Sequence, residues 1–254
     1  MKRMLALYAA AAYAFLHLPL LILAAFSFNA SKFSVWRGFT WQWYQEVFSN
    51  ENLMEATLNS LIIGAVSTVV ATAIGALAGY AIWKRRSRLL TNSLYLSLLT
   101  PEIVTGVSLL AFFQWIFRFL RVPLGMHTVI LAHISFCLAY VVIVIVARLQ
   151  TFDPALEEAA LDLGANEWES FWHITVPNLL PGIAAAALLC FTVSFDDYVI
   201  TSLVAGIDSE TLPMVVYSMA RKGVSPMVNA LSAMITLGLG AFVILAGRLE
   251  HRRS

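Results

Sequence analysis

Long apolar runs alternate with short polar segments along this chain, and six of the runs are long enough to cross a lipid bilayer. A helix needs about 20 apolar residues to span roughly 30 Å of hydrocarbon. The six predicted spans cover residues 4–26, 56–83, 91–117, 128–147, 179–205 and 228–247. The pattern predicts an all-α membrane protein that crosses the bilayer six times, with a single transmembrane domain over residues 1–254.

The composition supports a membrane protein rather than a soluble domain. Hydrophobic residues make up 60% of the chain and charged residues 12%, with a mean hydropathy of +0.79. In soluble domains roughly half of the residues are apolar and a quarter are charged. The first apolar run has about 23 residues, more than the ~7–15 of a signal-peptide core, so we interpret it as a retained helix.

The basic residues predict the orientation of the spans. With both termini in the cytoplasm, ten of the sixteen Lys and Arg residues fall on the cytoplasmic side, in agreement with the positive-inside rule. The ten are Lys2, Arg3, Lys84, Arg85, Arg86, Arg88, Arg148, Arg248, Arg252 and Arg253. We therefore expect both termini inside.

The loop between the fourth and fifth spans, residues 153–177, is acidic, and we call it the acidic loop. It carries six of the fifteen Asp and Glu residues, with no Lys or Arg between Gln150 and Ser170. A solvated surface explains most acidic loops. This one lies on the predicted cytoplasmic side and adds nothing to the positive bias, so a basic protein partner is the simplest explanation.

Local signals predict two short helices in the acidic loop. Asp153 can cap the first helix and Gly164 supplies the left-handed residue that ends it. Asn166 and Glu169 have the spacing of a capping box for the second helix. Pro177, and Pro181 after it, predict the end of that second helix.

Three carboxylates lie inside predicted spans, where an ionisable side chain normally faces a cavity, a partner or a substrate path. They are Glu102, Asp196 and Asp197. Neighbouring helical residues point about 100° apart. We expect Asp197 to face a polar pathway and Asp196 to support it or meet another helix. Glu102 follows Pro101, which predicts a kink in the third span.

Each of these acids also has a structural interpretation. The Asp pair could hold two helices together, and a carboxylate beside a kink can bond the backbone groups that the kink frees.

The acidic loop resembles the EAA loop of ABC-importer permeases. The matching residues are Glu158-Ala159-Ala160, Gly164 after three residues, and Ile174, Val176 and Pro177 after nine more. The resemblance implies a type I ABC-importer permease fold and a loop that docks on a cytoplasmic ATPase. The implied coupling residues are Glu157, Glu158, Ala159, Ala160, Asp162, Gly164, Ile174 and Pro177.

Three further segments resemble the polyamine branch of that family, the permeases of spermidine and putrescine importers. They are residues 57–61, 101–106 and 194–197. The resemblance implies a multi-pass permease subunit in a bacterial inner membrane, which transports a polyamine by alternating access. The implied partners are a second, homologous permease, two copies of an ABC ATPase and a solute-binding protein.

The chain itself offers no catalytic or cofactor chemistry. The sequence has no Gly-x-x-x-x-Gly-Lys-Ser/Thr motif for nucleotide phosphates. The five histidines lack metal-ligand spacing, so we expect no metal site, no bound cofactor and no enzymatic activity. ATP and Mg²⁺ are expected on the partner ATPase.

Aromatic residues complete the candidate pathway, because ammonium groups bind carboxylates and aromatic faces. Phe195 and Tyr198 flank the Asp pair, and Trp115 and Tyr140 lie in neighbouring spans. Ordinary helix packing is the alternative role of each aromatic residue.

Two rival functional classes are a permease for another solute and a stand-alone carrier or membrane enzyme. For a permease of another solute, three acids and no Lys or Arg within the spans disfavour an anion. A stand-alone carrier would show an inverted repeat with interrupted helices, and the sequence shows none. A membrane protease would need the Glu157-Glu158 pair inside a span.

Overall fold

The computed structural model describes residues 2–32, 35–85, 88–223 and 225–251, and the side chains of most of these. The described part is all-α, as predicted, and no strand occurs in it; an isolated bridge pairs Asn29 with Phe39. The helices are α1 Lys2–Phe26, α2 Gln42–Ser49, α3 Glu51–Arg85, α4 Arg88–Leu99, α5 Glu102–Leu120, α6 Met126–Leu149, α7 Ala155–Asp162, α8 Glu167–Ser170, α9 Val176–Asp196, α10 Val199–Val204, α11 Leu212–Arg221 and α12 Pro226–His251.

Five helices of the described chain are long and apolar enough to cross a membrane. They are Arg3–Phe26, Glu51–Arg85, Glu102–Leu120, Met126–Leu149 and Glu167–Asp196. The sixth predicted span falls in α12, whose described apolar stretch is Pro226–Gly238. The predicted all-α architecture of membrane-spanning helices is therefore confirmed.

The structure corrects two spans, because helices break inside them. The predicted third span, 91–117, contains α4 and α5, with a full interruption where a kink was expected. The predicted fifth span, 179–205, is interrupted after Asp196, and α10 follows as a separate helix. The sequence predicted neither interruption, since it indicated only a kink at Pro101 in the third span and an unbroken fifth span.

The second helix of the acidic loop does not end at Pro177 or Pro181. It runs from α8 through a π turn, Phe171–Thr175, directly into α9. Pro177 is the second residue of α9, which follows the π turn directly, so it lies inside the continuous helix. Pro181 lies inside the helix, and the predicted stop signal was wrong because membrane helices accommodate such prolines.

The chain divides into two compact units, residues 57–214 and residues 1–56 with 215–254. The first unit is built around α6, which packs on α9 and α3. Gly75 and Gly79 of α3 allow this close approach, since a Cβ at either position would lie within 2.8 Å of Val141 or Ile145 of α6. Small residues commonly permit such packing in membranes.

The second unit contains α1, α2 and α12, with α12 in contact with both other helices. The α1 helix is exposed along nearly all of its length. The segment before α2 folds around Asn29, whose main-chain carbonyl accepts a 2.7 Å hydrogen bond from the indole of Trp43. Whether the two units act as the predicted single domain stays a prediction.

Part of the charge pattern used for orientation lies outside the described residues. This applies to Arg86, Arg252 and Arg253, and to the side chains of Lys2, Arg88 and Arg248.

Candidate functional site

The break in the third span is made by Thr100 and Pro101. The Thr100 amide bonds the carbonyl of Leu96 at 3.1 Å and so closes the last turn of α4. Pro101 then adopts an extended conformation, with φ −56° and ψ 137°, and α5 starts at Glu102. A proline has no amide proton to continue the ladder, so the helix stops and restarts instead of bending.

The break in the fifth span is made by Asp197 and Tyr198. The backbone of Asp197 is extended, with ψ 125°. Its carboxylate turns forward to α10, where it accepts hydrogen bonds from the Thr201 amide at 2.8 Å, the Thr201 hydroxyl at 2.7 Å and the Ile200 amide at 3.3 Å. These bonds satisfy the first amides of α10, as a capping side chain does.

The two breaks open onto one cavity of about 390 Å³, a size typical of small-molecule sites (about 300–1,000 Å³). The helices α5 and α10 pack closely beside it, because Gly106 of α5 lies against Ile200 and Leu203 of α10. The cavity lining comes from both interrupted spans and from α6; its polar members include Ser97, Thr100, Glu102, Thr105, Tyr140, Thr192, Asp196, Asp197 and Tyr198.

The structure brings together five of the seven residues predicted for the pathway. Glu102, Asp196, Asp197, Tyr140 and Tyr198 all line the cavity. They come from three predicted spans that are distant in sequence, which is why spacing alone could not show the arrangement.

Two predicted pathway residues do not line the cavity. Phe195 is buried and stacks on Phe191, with ring centroids 5.9 Å apart. Trp115 is 76% exposed on the outer surface of α5. For Phe195 the packing alternative is supported.

Both members of the Asp pair line the cavity, so Asp197 faces it as expected and Asp196 does so as well. Asp197 lines the cavity, but its side chain is only 6% exposed and its oxygens already accept bonds from α10. Asp196, expected to support it, is exposed at the end of α9 and lines the cavity. The physical reason is the break itself, because the helical 100° rule does not hold where the helix ends.

One buried polar residue at this site was missed in the sequence. His133 of α6 lies 3.5 Å from the Asp197 carboxylate through its Nε2 atom. The signal was present, since His133 is an ionisable residue inside the predicted span 128–147 and meets the criterion applied to Glu102.

The predicted caps of the acidic loop are present. The Asp153 carboxylate accepts a 3.0 Å hydrogen bond from the Ala155 amide at the start of α7. Asn166 and Glu169 form the reciprocal capping box, with both side-chain-to-amide distances at 2.9 Å.

Gly164 ends the first loop helix as predicted, with a left-handed φ of 94°. The Gly164 amide bonds the Leu161 carbonyl at 3.0 Å, and the Ala165 amide bonds the Ala160 carbonyl at 3.1 Å. This pair of bonds is the Schellman motif, which turns the chain sharply after a helix.

Glu157 differs from the other acids of the loop because it faces the interior of the subunit. It is only 9% exposed and accepts hydrogen bonds from the Tyr80 hydroxyl, at 3.0 Å, and from the Thr175 hydroxyl. Lys84 lies 3.9 Å from its other oxygen. Glu157 therefore fastens α7 to α3 and to the π turn before α9.

The remaining predicted loop residues form an outer face. Glu158, Ala159, Asp162, Gly164 and Pro177 are exposed, and Ala160 and Ile174 are half-buried. The same face carries exposed apolar side chains, among them Leu163 at 89% exposure, Leu156 and Trp168. Acidic and apolar groups thus lie side by side on a surface that the described chain leaves uncovered.

Residues 71–253 match a family model described as the binding-protein-dependent transport system inner membrane component. The chain is 39% identical over 247 residues to the spermidine/putrescine transport system permease protein PotC of Haemophilus influenzae, covering 95% of this chain and 94% of that protein. It is 39% identical over 252 residues to the putrescine transport system permease protein PotI of Escherichia coli, covering 95% and 90%.

Two groups of solved structures share the fold at low identity. A bacterial ABC transporter involved in the import of the acidic polysaccharide alginate matches with a TM-score of 0.73 and 15% identity, covering 98% of this chain and 95% of that one. The MetNI methionine ABC transporter, in inward-facing conformations, matches with a TM-score of 0.62 and 18% identity, covering 80% and 96%.

Proposed function

Because the chain belongs to the family of binding-protein-dependent transport system inner membrane components, we propose that it is the permease subunit of an ATP-driven importer for a polyamine such as putrescine or spermidine. This cargo is supported by relatives that are named as spermidine/putrescine and putrescine transport permeases, and whose alignments cover nearly the whole chain. The observation that carries the proposal is the cavity between two interrupted helices, whose lining includes both Glu102 and Asp196.

The charges of the cavity suit a flexible cation with several ammonium groups. Glu102 and Asp196 are both exposed and come from different helices, so they are free to pair with separate ammonium groups. Tyr140 and Tyr198 add aromatic faces to the same wall, and cations bind such faces. No Lys or Arg lies among the residues that line the cavity.

The interrupted helices strengthen this preference. Both α4 and α9 end at the cavity, at Leu99 and Asp196. The C-terminal end of a helix carries a partial negative charge, and broken helices in transporters use such ends to bind cations. The opposing helix starts bear acids of their own, Glu102 in the first turn of α5 and Asp197 before α10.

The acidic loop supplies the contact with the ATPase in this proposal. Its exposed face combines the carboxylates of Glu158 and Asp162 with the apolar side chains of Leu163 and Trp168. Such a face suits a groove with apolar walls and a basic rim. With the loop and both termini in the cytoplasm, ATP-driven closure of the ATPases moves the loop and, through the continuous helix of residues 167–196, the cavity.

The rest of the machine is supplied by other chains. In this proposal two ATPase subunits bind ATP and Mg²⁺. This chain transports its cargo without a bound cofactor of its own. A second, homologous permease completes the pathway, and a solute-binding protein delivers the polyamine from the opposite side. The family description, which names a binding-protein-dependent system, supports the last partner.

The test is uptake of labelled putrescine and spermidine by the complete importer in proteoliposomes. Asp196→Asn and Glu102→Gln each remove one carboxylate charge from the cavity. A hydrogen bond to a charged group contributes about 1.5–3 kcal/mol, which corresponds to a rise in KM of roughly 10- to 100-fold. Glu55→Gln is the matched control, because Glu55 is exposed and does not line the cavity. Unchanged uptake in both cavity variants contradicts the proposed cargo site.

A further inference from the structure

His133 lies at the centre of a buried polar chain beside the cavity. Its side chain projects from α6 and is 1% exposed. Its Nδ1 atom lies 2.6 Å from the Ser194 hydroxyl, and its Nε2 atom lies 2.9 Å from the Thr201 hydroxyl. Ser194 belongs to α9 and Thr201 to α10, so a single imidazole joins the two helices on either side of the break.

The hydrogen bonds determine which ring nitrogen carries a proton. The Thr201 hydroxyl donates its only proton to the Asp197 carboxylate at 2.7 Å, because an ionised carboxylate accepts but does not donate. Thr201 must then accept from His133, so Nε2 is protonated. The chain therefore runs in one direction, from His133 through Thr201 to Asp197.

Side-chain contacts define the geometry of the break: Asp197 caps α10, and His133 bonds residues on both sides of the break. Between Asp196 and Val199 the helix ladder is absent, and Asp197 with Tyr198 connects the two segments. In an apolar environment the polar groups at such a break need partners within the protein. On the α6 side, His133 is the partner of the Ser194 and Thr201 hydroxyls, and α6 also contributes Phe136 and Tyr140 to the cavity lining.

We propose that His133 is a positioning residue for the cargo cavity. By joining Ser194 to the Thr201–Asp197 pair across the break, it holds the end of α9 so that Asp196 points into the cavity at the distance a bound ammonium group requires. This inference rests on the proposed function, and it adds a residue that touches no cargo but sets the affinity for it.

Two near-isosteric substitutions of His133 distinguish its bond to Thr201 from its bond to Ser194. In His133→Gln the side-chain amide lies where Nε2 lies in histidine, and it can still donate to Thr201. In His133→Asn the amide reaches only the position of Nδ1, next to Ser194, and the Thr201–Asp197 arm loses its donor. The two variants have similar polarity, so a general effect of core polarity would be the same in both.

The assay is putrescine uptake by the assembled importer, with KM and maximal rate measured separately. We expect His133→Asn to raise KM about tenfold, the effect of one lost hydrogen bond to a charged network, with little change in maximal rate. His133→Gln is expected to keep KM within a factor of about two. Equal KM values in both variants and the native protein, or equal rises in both, overturn the inference.

A second pair of variants covers the case in which His133 cannot be replaced without loss of the folded subunit. Thr201→Val removes the hydroxyl that lies between His133 and Asp197 while keeping the shape of the side chain. Thr201→Ser keeps the hydroxyl. The inference requires a raised KM in the valine variant and a nearly native KM in the serine variant. The same KM in both contradicts it.

The Glu102→Gln and Asp196→Asn variants, measured in parallel, distinguish the two proposals. If they reduce uptake while all His133 and Thr201 variants behave alike, only the positioning role fails. If they leave uptake unchanged, the cargo cavity fails and the positioning role fails with it.

Discussion

Replacing Glu157 by alanine is expected to loosen the acidic loop without removing any group from its outer face. Glu157 is the buried acid of the loop, and its carboxylate accepts from Tyr80 and Thr175. These bonds tie α7 to the end of α3 and to the π turn. Alanine removes the acceptor and leaves both hydroxyls without this partner.

The magnitude follows from the contacts. Two hydrogen bonds to a carboxylate contribute about 1.5–3 kcal/mol each, and the lower value applies because α7 is exposed on its other side. Lys84, at 3.9 Å and largely exposed, adds at most ~1 kcal/mol. We therefore expect the free energy of local opening of α7 to fall by about 3 kcal/mol, which corresponds to roughly 100-fold faster amide exchange.

Hydrogen exchange of the assembled importer measures this directly in the peptide that contains α7. Glu157→Gln is expected to show a smaller effect because the amide oxygen still accepts. Glu158→Ala is the matched control, since Glu158 is the adjacent exposed acid; in importer that retains its bound ATPase, α7 of this variant should exchange at the native rate. Unchanged exchange in Glu157→Ala, or equal acceleration in Glu158→Ala, refutes the reasoning.

Two glycine substitutions test different constraints. In Gly164→Val the new Cβ meets no atom within 4 Å, but the φ of 94° is unfavourable for a residue with a side chain by about 1–2 kcal/mol. We expect this variant to insert into the membrane normally and to hydrolyse ATP with reduced uptake, whereas Gly164→Asn should retain more uptake. Native uptake in the valine variant contradicts this expectation. Gly206→Ala would place a Cβ 1.7 Å from the Leu124 carbonyl oxygen, so we expect loss of folded protein in size-exclusion chromatography. Gly238→Ala has open space around the new Cβ and should behave as the native chain; equal yields of the two variants would show that the Leu124 contact is not limiting.

Local features of the protein were predictable from the sequence because they depend on residues a few positions apart. The Asn166–Glu169 capping box, the Asp153 cap and the left-handed Gly164 each involve neighbours within one helical turn. The membrane-spanning helices were predictable because their signal is the length of an apolar run. The EAA-like spacing, which carried the family resemblance, is local in the same sense.

The sequence could not show which side of each helix packs inward. A membrane helix is apolar all round, so the periodicity that identifies the buried face of a soluble helix is weak. For this reason Trp115 was placed in the pathway although it lies on the exposed face of α5. Glu157 was placed on the docking face by the family resemblance, although it is buried.

Tertiary structure decided the site itself. Only the packing of α5, α6, α9 and α10 brings Glu102 and Asp196 to the lining of one cavity and places His133 against Ser194 and Thr201. The interruption at Asp197 was harder to predict because no proline or glycine marks it, although the Asp197 carboxylate caps α10 locally. The local signals were therefore sufficient for the existence of the apolar helices, the caps and the family, whereas long-range contacts decided which polar groups line the cavity.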